Sequence, residues 1–171
     1  MYLLKNGFEV YVLDFIQEAL DELVVRAKAV KLNKHLHIVN AHIDQQWPFP
    51  NDFFDFAVDS LSSIDIDGYE NRCRYRSELM RTLKHEGLVL FRTVSVNDEL
   101  EKWLMQKYPG EEKNSSIWPE SKKFQKNYSY EEIREFYKDF RILELTEYVK
   151  SAKKMSKAIE ATNFRVILEK R

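Results

Sequence analysis

The chain has 171 residues, 44% hydrophobic and 32% charged, and its 27 basic and 28 acidic residues leave a formal charge of −1. This length and composition suit one globular domain with a real core, and the balanced charge gives no global attraction to nucleic acid or to an acidic membrane. The single cysteine, Cys73, excludes an intrachain disulfide and a multi-cysteine metal site, and makes a reducing cytoplasm the expected compartment. No apolar stretch reaches the roughly 20 residues that a membrane-spanning helix needs, and Met1 to Gly7 lacks the parts of a signal peptide.

Glu9 to Phe15 follows the turn signal Asn6-Gly7 and is rich in β-branched and aromatic residues, which predicts a buried strand. Ile16, Ala19, Leu20, Leu23, Val24, Ala27 and Val30 then recur at helical spacing. Leu36 to Ile43 and Phe53 to Ser60 read as the second and third strands, separated by the breaker Trp47-Pro-Phe-Pro50. A helix is expected from Tyr69 to Lys84, with Arg72, Tyr75, Arg76, Leu79, Met80 and Leu83 on one side. Glu86-Gly87 turns the chain into a fourth strand, Leu88 to Ser95, and a short helix is expected around Asp98 to Lys107.

Pro109 to Lys126, rich in Lys, Glu, Ser and Asn, reads as a loop or flexible insertion, and residues 96–128 as an insertion or lid. Ser129-Tyr-Glu-Glu132 is a capping-box signature that opens a helix with Ile133, Phe136, Tyr137 and Phe140 on its apolar face. Ile142 to Val149 and Phe164 to Glu169 are two further strands, joined by a basic, helix-prone segment, Lys150 to Ala161. Strand–helix alternation implies an α/β fold with a mostly parallel sheet, helices on both faces and a C-terminal antiparallel hairpin.

This order resembles the class I S-adenosylmethionine-dependent methyltransferase family from its second strand onward, as a single domain over 1–171. Three stretches carry the resemblance: Gly7-Phe-Glu-Val-Tyr-Val-Leu-Asp14, the Trp47–Asp59 run WPFPNDFFDFAVD, and the Glu78–Leu90 run ELMRTLKHEGLVL. The resemblance implies a Rossmann-like fold and S-adenosyl-L-methionine as cofactor. Ligands of such sheets sit at the carboxyl ends of the strands. There Asp14, with Phe15 beside it, would accept the ribose hydroxyls. Asp14-Phe-Ile-Gln17 also reads as a capping box, so the same carboxylate is open to a purely structural role.

His42 and Ile43 would lie beside the adenine, although the family often has Asp where His42 stands, and the histidine also reads as a loop residue without a ligand. Asp59 and Ser60 would face the methionine part of the cofactor and the substrate. Asp59 and Asp65 are the candidates for orienting an acceptor or taking its proton; capping of the helix at Tyr69 is the favoured reading of Asp65 and Asp67, and Asp55 reads as a tie for the turn at Asn51-Asp52. His35, His37 and His42 lack metal-pair spacing, so no metal is expected. Trp103, Tyr108 and Trp118 stand among lysines but also among glutamates that cancel the positive field, which favours a lid or solvated loop over a nucleic-acid surface.

The four glycines, Gly7, Gly68, Gly87 and Gly110, form no Gly-x-Gly loop. The family carries that loop after its first strand, and the resemblance begins beyond it. The first strand is central in the family's sheet, so the chain is expected to be N-terminally truncated, to pair its flanking strands directly, or to be completed by an upstream segment or a partner chain. Two readings follow. One is a methyltransferase acting on a small-molecule acceptor; the other is a catalytically inactive methyltransferase-like binding module.

Overall fold

Val10–Asp14 (β1) and Leu36–Asn40 (β2) pair in parallel, from Val10 opposite Leu36 to Asp14 opposite Asn40. Parallel neighbours need a crossover, and Gln17–Ala29 (α2) supplies it, burying Leu20 and Ala27. The short helix Tyr2–Lys5 (α1) adds buried Leu4. These elements form one of two compact units, Met1–Trp47; the second is Pro48–Arg171. The structure is a computed structural model that describes residues 1–154 and 157–171. None of its described helices is long and apolar enough to cross a membrane.

In the second unit a four-stranded sheet runs in the order β3-β4-β8-β7. Phe54–Ser60 (β3) and Leu83–Val94 (β4) are parallel, linked by the helix Tyr69–Thr82 (α3). Lys157–Lys170 (β8) runs antiparallel to β4, and Phe140–Lys154 (β7) antiparallel to β8. The expected α/β fold with its C-terminal antiparallel hairpin is thus present, with β3 and β4 as the parallel pair of this sheet. Alternation sets the core: Val89, Phe91, Phe164, Val166 and Leu168 point to one face and are 0% exposed. Across the pleat, Val58, Leu88 and Leu90 are 51%, 39% and 42% exposed.

Four expectations are corrected. The fourth strand begins at Leu83, and the expected Glu86-Gly87 turn is a register shift inside it. Glu86 takes a left-handed φ of 61°, and a Cβ on Gly87 would lie 2.7 Å from the Lys84 carbonyl oxygen, so glycine is required there. The stretch Pro109 to Lys126 is not a plain loop. It contains an antiparallel pair, Ser115–Ile117 (β5) and Phe124–Lys126 (β6), whose residues Ser115, Ser116, Phe124, Gln125 and Lys126 are buried. The described residues of Lys150 to Ala161 are strand rather than helix, because each hairpin arm satisfies the other's backbone from Phe140 opposite Lys170 outward; Met155 and Ser156 lie outside the described residues. The Asp14–Gln17 capping box is not formed: Ile16 is the cap residue, and the Gln17 amide donates to Asp21 while its oxygen accepts from Asn40.

The local signals at the other helices hold. Asp98 caps Glu99–Lys107 (α4), its Oδ1 accepting the Glu101 N–H, while Oδ2 accepts the Thr162 N–H of β8 at 2.8 Å. Ser129 and Glu132 form both bonds of the capping box on Tyr130–Phe136 (α5).

Candidate functional site

In the first unit, Asp14 ends β1 half-buried. Its Oδ1 accepts the Ile16 N–H at 2.9 Å, and its Oδ2 has no hydrogen-bond partner among the described residues. A carboxylate offers about four acceptor positions, so Asp14 can bind a diol while holding the turn. Phe15, 57% exposed, stacks on His42 with ring centroids 4.7 Å apart and planes 8° from parallel. Phe15 leaves the end of β1, and His42 follows the end of β2. Parallel pairing of those strands places the two ends side by side. Ile43 is half-buried, and its carbonyl oxygen accepts the Trp47 indole N–H at 3.0 Å.

His35 and His37 both meet one carboxylate, that of Glu9. His35 Nδ1 lies 2.5 Å and His37 Nε2 2.9 Å from the two carboxylate oxygens of Glu9. Hydrogen bonds from His35, then His37, hold the Glu9 carboxyl below its ordinary value. No group of three or more His, Cys, Asp or Glu among the described residues is arranged to hold a metal.

In the second unit, Asp59 and Ser60 end β3. Asp59 is 6% exposed and its oxygens are engaged. Oδ1 accepts the N–H groups of Ser62 at 3.0 Å and Ser63 at 3.4 Å, and Oδ2 accepts the Tyr75 hydroxyl at 2.6 Å. Burial, with the Asp59 charge next, pushes the Tyr75 phenol well above its usual value. Ser60 is exposed. Asp65 pairs with Lys123; burial raises its carboxyl although the lysine works against the rise. Asp65 and Asp67 do not cap α3, whose cap is Gly68 without a side-chain bond. Asp55 pairs with Lys84 at 2.7 Å instead of tying its own turn.

Sequence reasoning missed a cavity in this unit. A cavity of about 200 Å³ lies among Tyr69, Arg72, Glu112, Lys113, Lys126, Tyr128, Glu132, Glu135 and Phe136. Arg72 is 2% exposed. Its guanidinium donates to the Ile66 carbonyl oxygen at 3.0 Å and to both carboxylate oxygens of Glu112. Lys126, 5% exposed, donates to Glu132 and to the Lys113 carbonyl oxygen, each at 2.7 Å. Burial lowers its ammonium despite that carboxylate. Tyr128 is 2% exposed, and burial raises its phenol. The signal was present: an arginine on the apolar side of a helix needs a carboxylate partner to be buried, and Glu112 stood in the stretch read as solvated loop. Within that stretch Trp103 is 42% exposed, Lys107 sits 5.0 Å over its ring, and the Trp118 indole N–H donates to Gln125.

Asp14 and the Phe15–His42 stack thus lie at the carboxyl ends of parallel strands, where open α/β sheets bind their ligands. The methyltransferase domain family matches residues 1–91, and the chain belongs to that family. Solved structures share the fold. A methyltransferase of the S-adenosylmethionine-dependent kind from Methanosarcina mazei is 20% identical, with a TM-score of 0.82 over 99% of this chain and 85% of its own. The YcgJ protein of Bacillus subtilis is 12% identical, with a TM-score of 0.66 over 95% and 82%. The N-methyltransferase NodS of Bradyrhizobium japonicum, solved with S-adenosyl-L-homocysteine, is 11% identical, with a TM-score of 0.62 over 94% and 65%. No curated protein matches the chain.

Proposed function

We propose that the chain binds S-adenosyl-L-methionine and transfers its methyl group to a small-molecule acceptor. The observation that carries this reading is Asp14. In a chain of the methyltransferase domain family, it stands at the carboxyl end of β1 with Oδ2 unengaged among the described residues. When bound, the cofactor supplies a sulfonium methyl, displaced in line: the acceptor's lone pair forms the new bond, the carbon–sulfur pair returns to sulfur, and an acceptor proton leaves to a base.

The chain's own residues suit the ribose and adenine end of the cofactor. Asp14 accepts the ribose hydroxyls. The Phe15–His42 stack is too tight to admit a third ring between its members, so adenine packs on its outer face, with Ile43 beside it. Ser60, exposed at the end of β3, offers a hydroxyl that suits the methionine part of the cofactor. Asp59 works as a positioning residue, since its oxygens are spent on Ser62, Ser63 and Tyr75. Asp65, whose carboxyl burial raises, is the better proton acceptor of the two acids. Orientation supplies most of the acceleration in such a displacement, and residues 96–128 cover the acceptor.

The competing reading, an inactive binding module, draws on the lack of any Gly-x-Gly loop in the sequence. Binding of S-adenosylhomocysteine separates the two. Saturable binding to the folded chain is expected; a folded chain that binds none overturns the enzyme reading.

A further inference from the structure

Opposite its core, the sheet of the second unit presents a second face. The register sets out rows of side chains across β3, β4 and β8 there. Val58, Leu90 and Ile167 stand side by side in one row. On β4, Leu88 precedes Leu90 and Arg92 follows it on the same face. Val58, Leu88 and Leu90 are 51%, 39% and 42% exposed, and Ile167 is half-buried. An apolar sheet face in an α/β domain is ordinarily covered by a helix.

The next row is basic. Arg92 lies directly opposite Arg165 of β8, and like charges opposed across a ladder are unfavourable. Among the described residues only Arg165 is matched: its Nε donates to Glu144 at 2.8 Å, and its Nη2 lies 2.7 Å from the same oxygen. Glu169, in the row of Leu88, is held by Arg141. Arg92 has no carboxylate of its own among the described residues, and its Nε is buried without a hydrogen-bond partner. A buried donor left without an acceptor is costly.

We propose that this face docks an amphipathic helix of another polypeptide, with two apolar residues over Leu88 and Leu90 and a carboxylate on Arg92. The dimensions match. Side chains two apart on a strand are about 6.6 Å apart, and residues four apart on a helix are about 6 Å apart. A helix laid along β4 therefore sets positions i and i+4 over Leu88 and Leu90, and i+8 beside Arg92. Val58 and Ile167 flank it across about 10 Å, the width of one helix. Charge selects the partner: a carboxylate meets the unmatched guanidinium in fork geometry, whereas an ammonium would add a third cation beside two arginines. The face lies wholly within the second unit, and its docking is independent of cofactor binding.

The test is fluorescence anisotropy of the full chain with labelled, alanine-based helical peptides of about 20 residues. One carries Leu at i and i+4 and Glu at i+8; its twin carries Lys in place of that Glu. The Glu peptide is expected to saturate and to bind at least about tenfold more tightly than the Lys twin, the coupling of a close interfacial charge pair. Arg92→Glu is expected to invert that preference. Leu90→Ser, at an exposed position, is expected to weaken both peptides. Should Arg92→Glu not fold, Arg92→Gln is expected to abolish the preference. The proposal is overturned if the Glu peptide does not bind, if the twins bind alike, if the preference survives in a folded Arg92 variant, or if Leu90→Ser changes nothing. A dimer of the chain in sedimentation that Leu90→Ser dissolves would also overturn it, since a second copy would then cover the face.

Discussion

The two units bury similar sequences to different depths. β1 and β2 are rich in apolar residues, Val10, Val12 and Leu13 in one and Leu36, Ile38 and Val39 in the other, yet not one residue of either strand is fully buried. In the second unit, β4 and β8 alternate, and their inward residues Val89, Phe91, Val166 and Leu168 are 0% exposed. The first pair is one parallel ladder served by α2; the second core is built from a four-stranded sheet closed by a long hairpin. Apolar content therefore does not measure stability here. The strand ends of the first unit that carry Asp14 and His42 sit on lightly buried elements, whereas the sheet of the second unit is well packed.

Matched truncations break this comparison most sharply. Leu168→Ala, at a fully buried position, is expected to cost about 2–5 kcal/mol in chemical denaturation. Leu13→Ala, at a half-buried position of β1, is expected to cost about half of that or less. Equal losses would mean that the two units are equally packed.

Next in size is Tyr75→Phe. It removes the hydroxyl that Asp59 accepts at 2.6 Å and leaves a buried carboxylate oxygen short of a donor, for about 1–3 kcal/mol. A loss below about 0.5 kcal/mol would show that Asp59 does not depend on this bond.

The smallest effect is a pH dependence. Burial works to raise the Glu132 carboxyl, but bonds from Lys126, Asn114 and the Ser129 N–H hold it below its ordinary 4.5. A lowered carboxyl stabilises the fold above its unfolded value and loses that contribution as pH falls through the folded one. Stability should thus decline below about pH 4.5, and Glu132→Gln should flatten that decline. An unchanged acid limb in urea titrations would remove Glu132 from the account.

Much of the fold was legible because its signals are local. Helical spacing marked α2 and α3, a run of β-branched and aromatic residues marked β1, and Ser129 with Glu132 marked α5. What escaped was set by partners distant in sequence. Ser115, Ser116, Gln125 and Lys126 are buried without being apolar, so β5 and β6 left no hydrophobic pattern to read. The outer arms of β7 and β8 carry lysines that suit a helix, and they are strands because each supplies the other's backbone bonds.

The candidate site divides in the same way. Asp14 was readable as the acid that ends an apolar strand, and the Phe15–His42 stack follows from two neighbouring strand ends. The environment of Asp59 was not readable, because its partner Tyr75 lies on α3, nor was the pairing of Arg72 with Glu112 across the chain.

The most direct test of the central claim is calorimetric titration of S-adenosylhomocysteine into the chain and into Asp14→Ala. The account predicts saturable binding to the first at about micromolar affinity, near −8 kcal/mol. It predicts at least tenfold weaker binding to the second, which loses the Ile16 N–H bond of its turn but still unfolds cooperatively. Undiminished binding to a folded Asp14→Ala, or none to the folded parent chain, would contradict it.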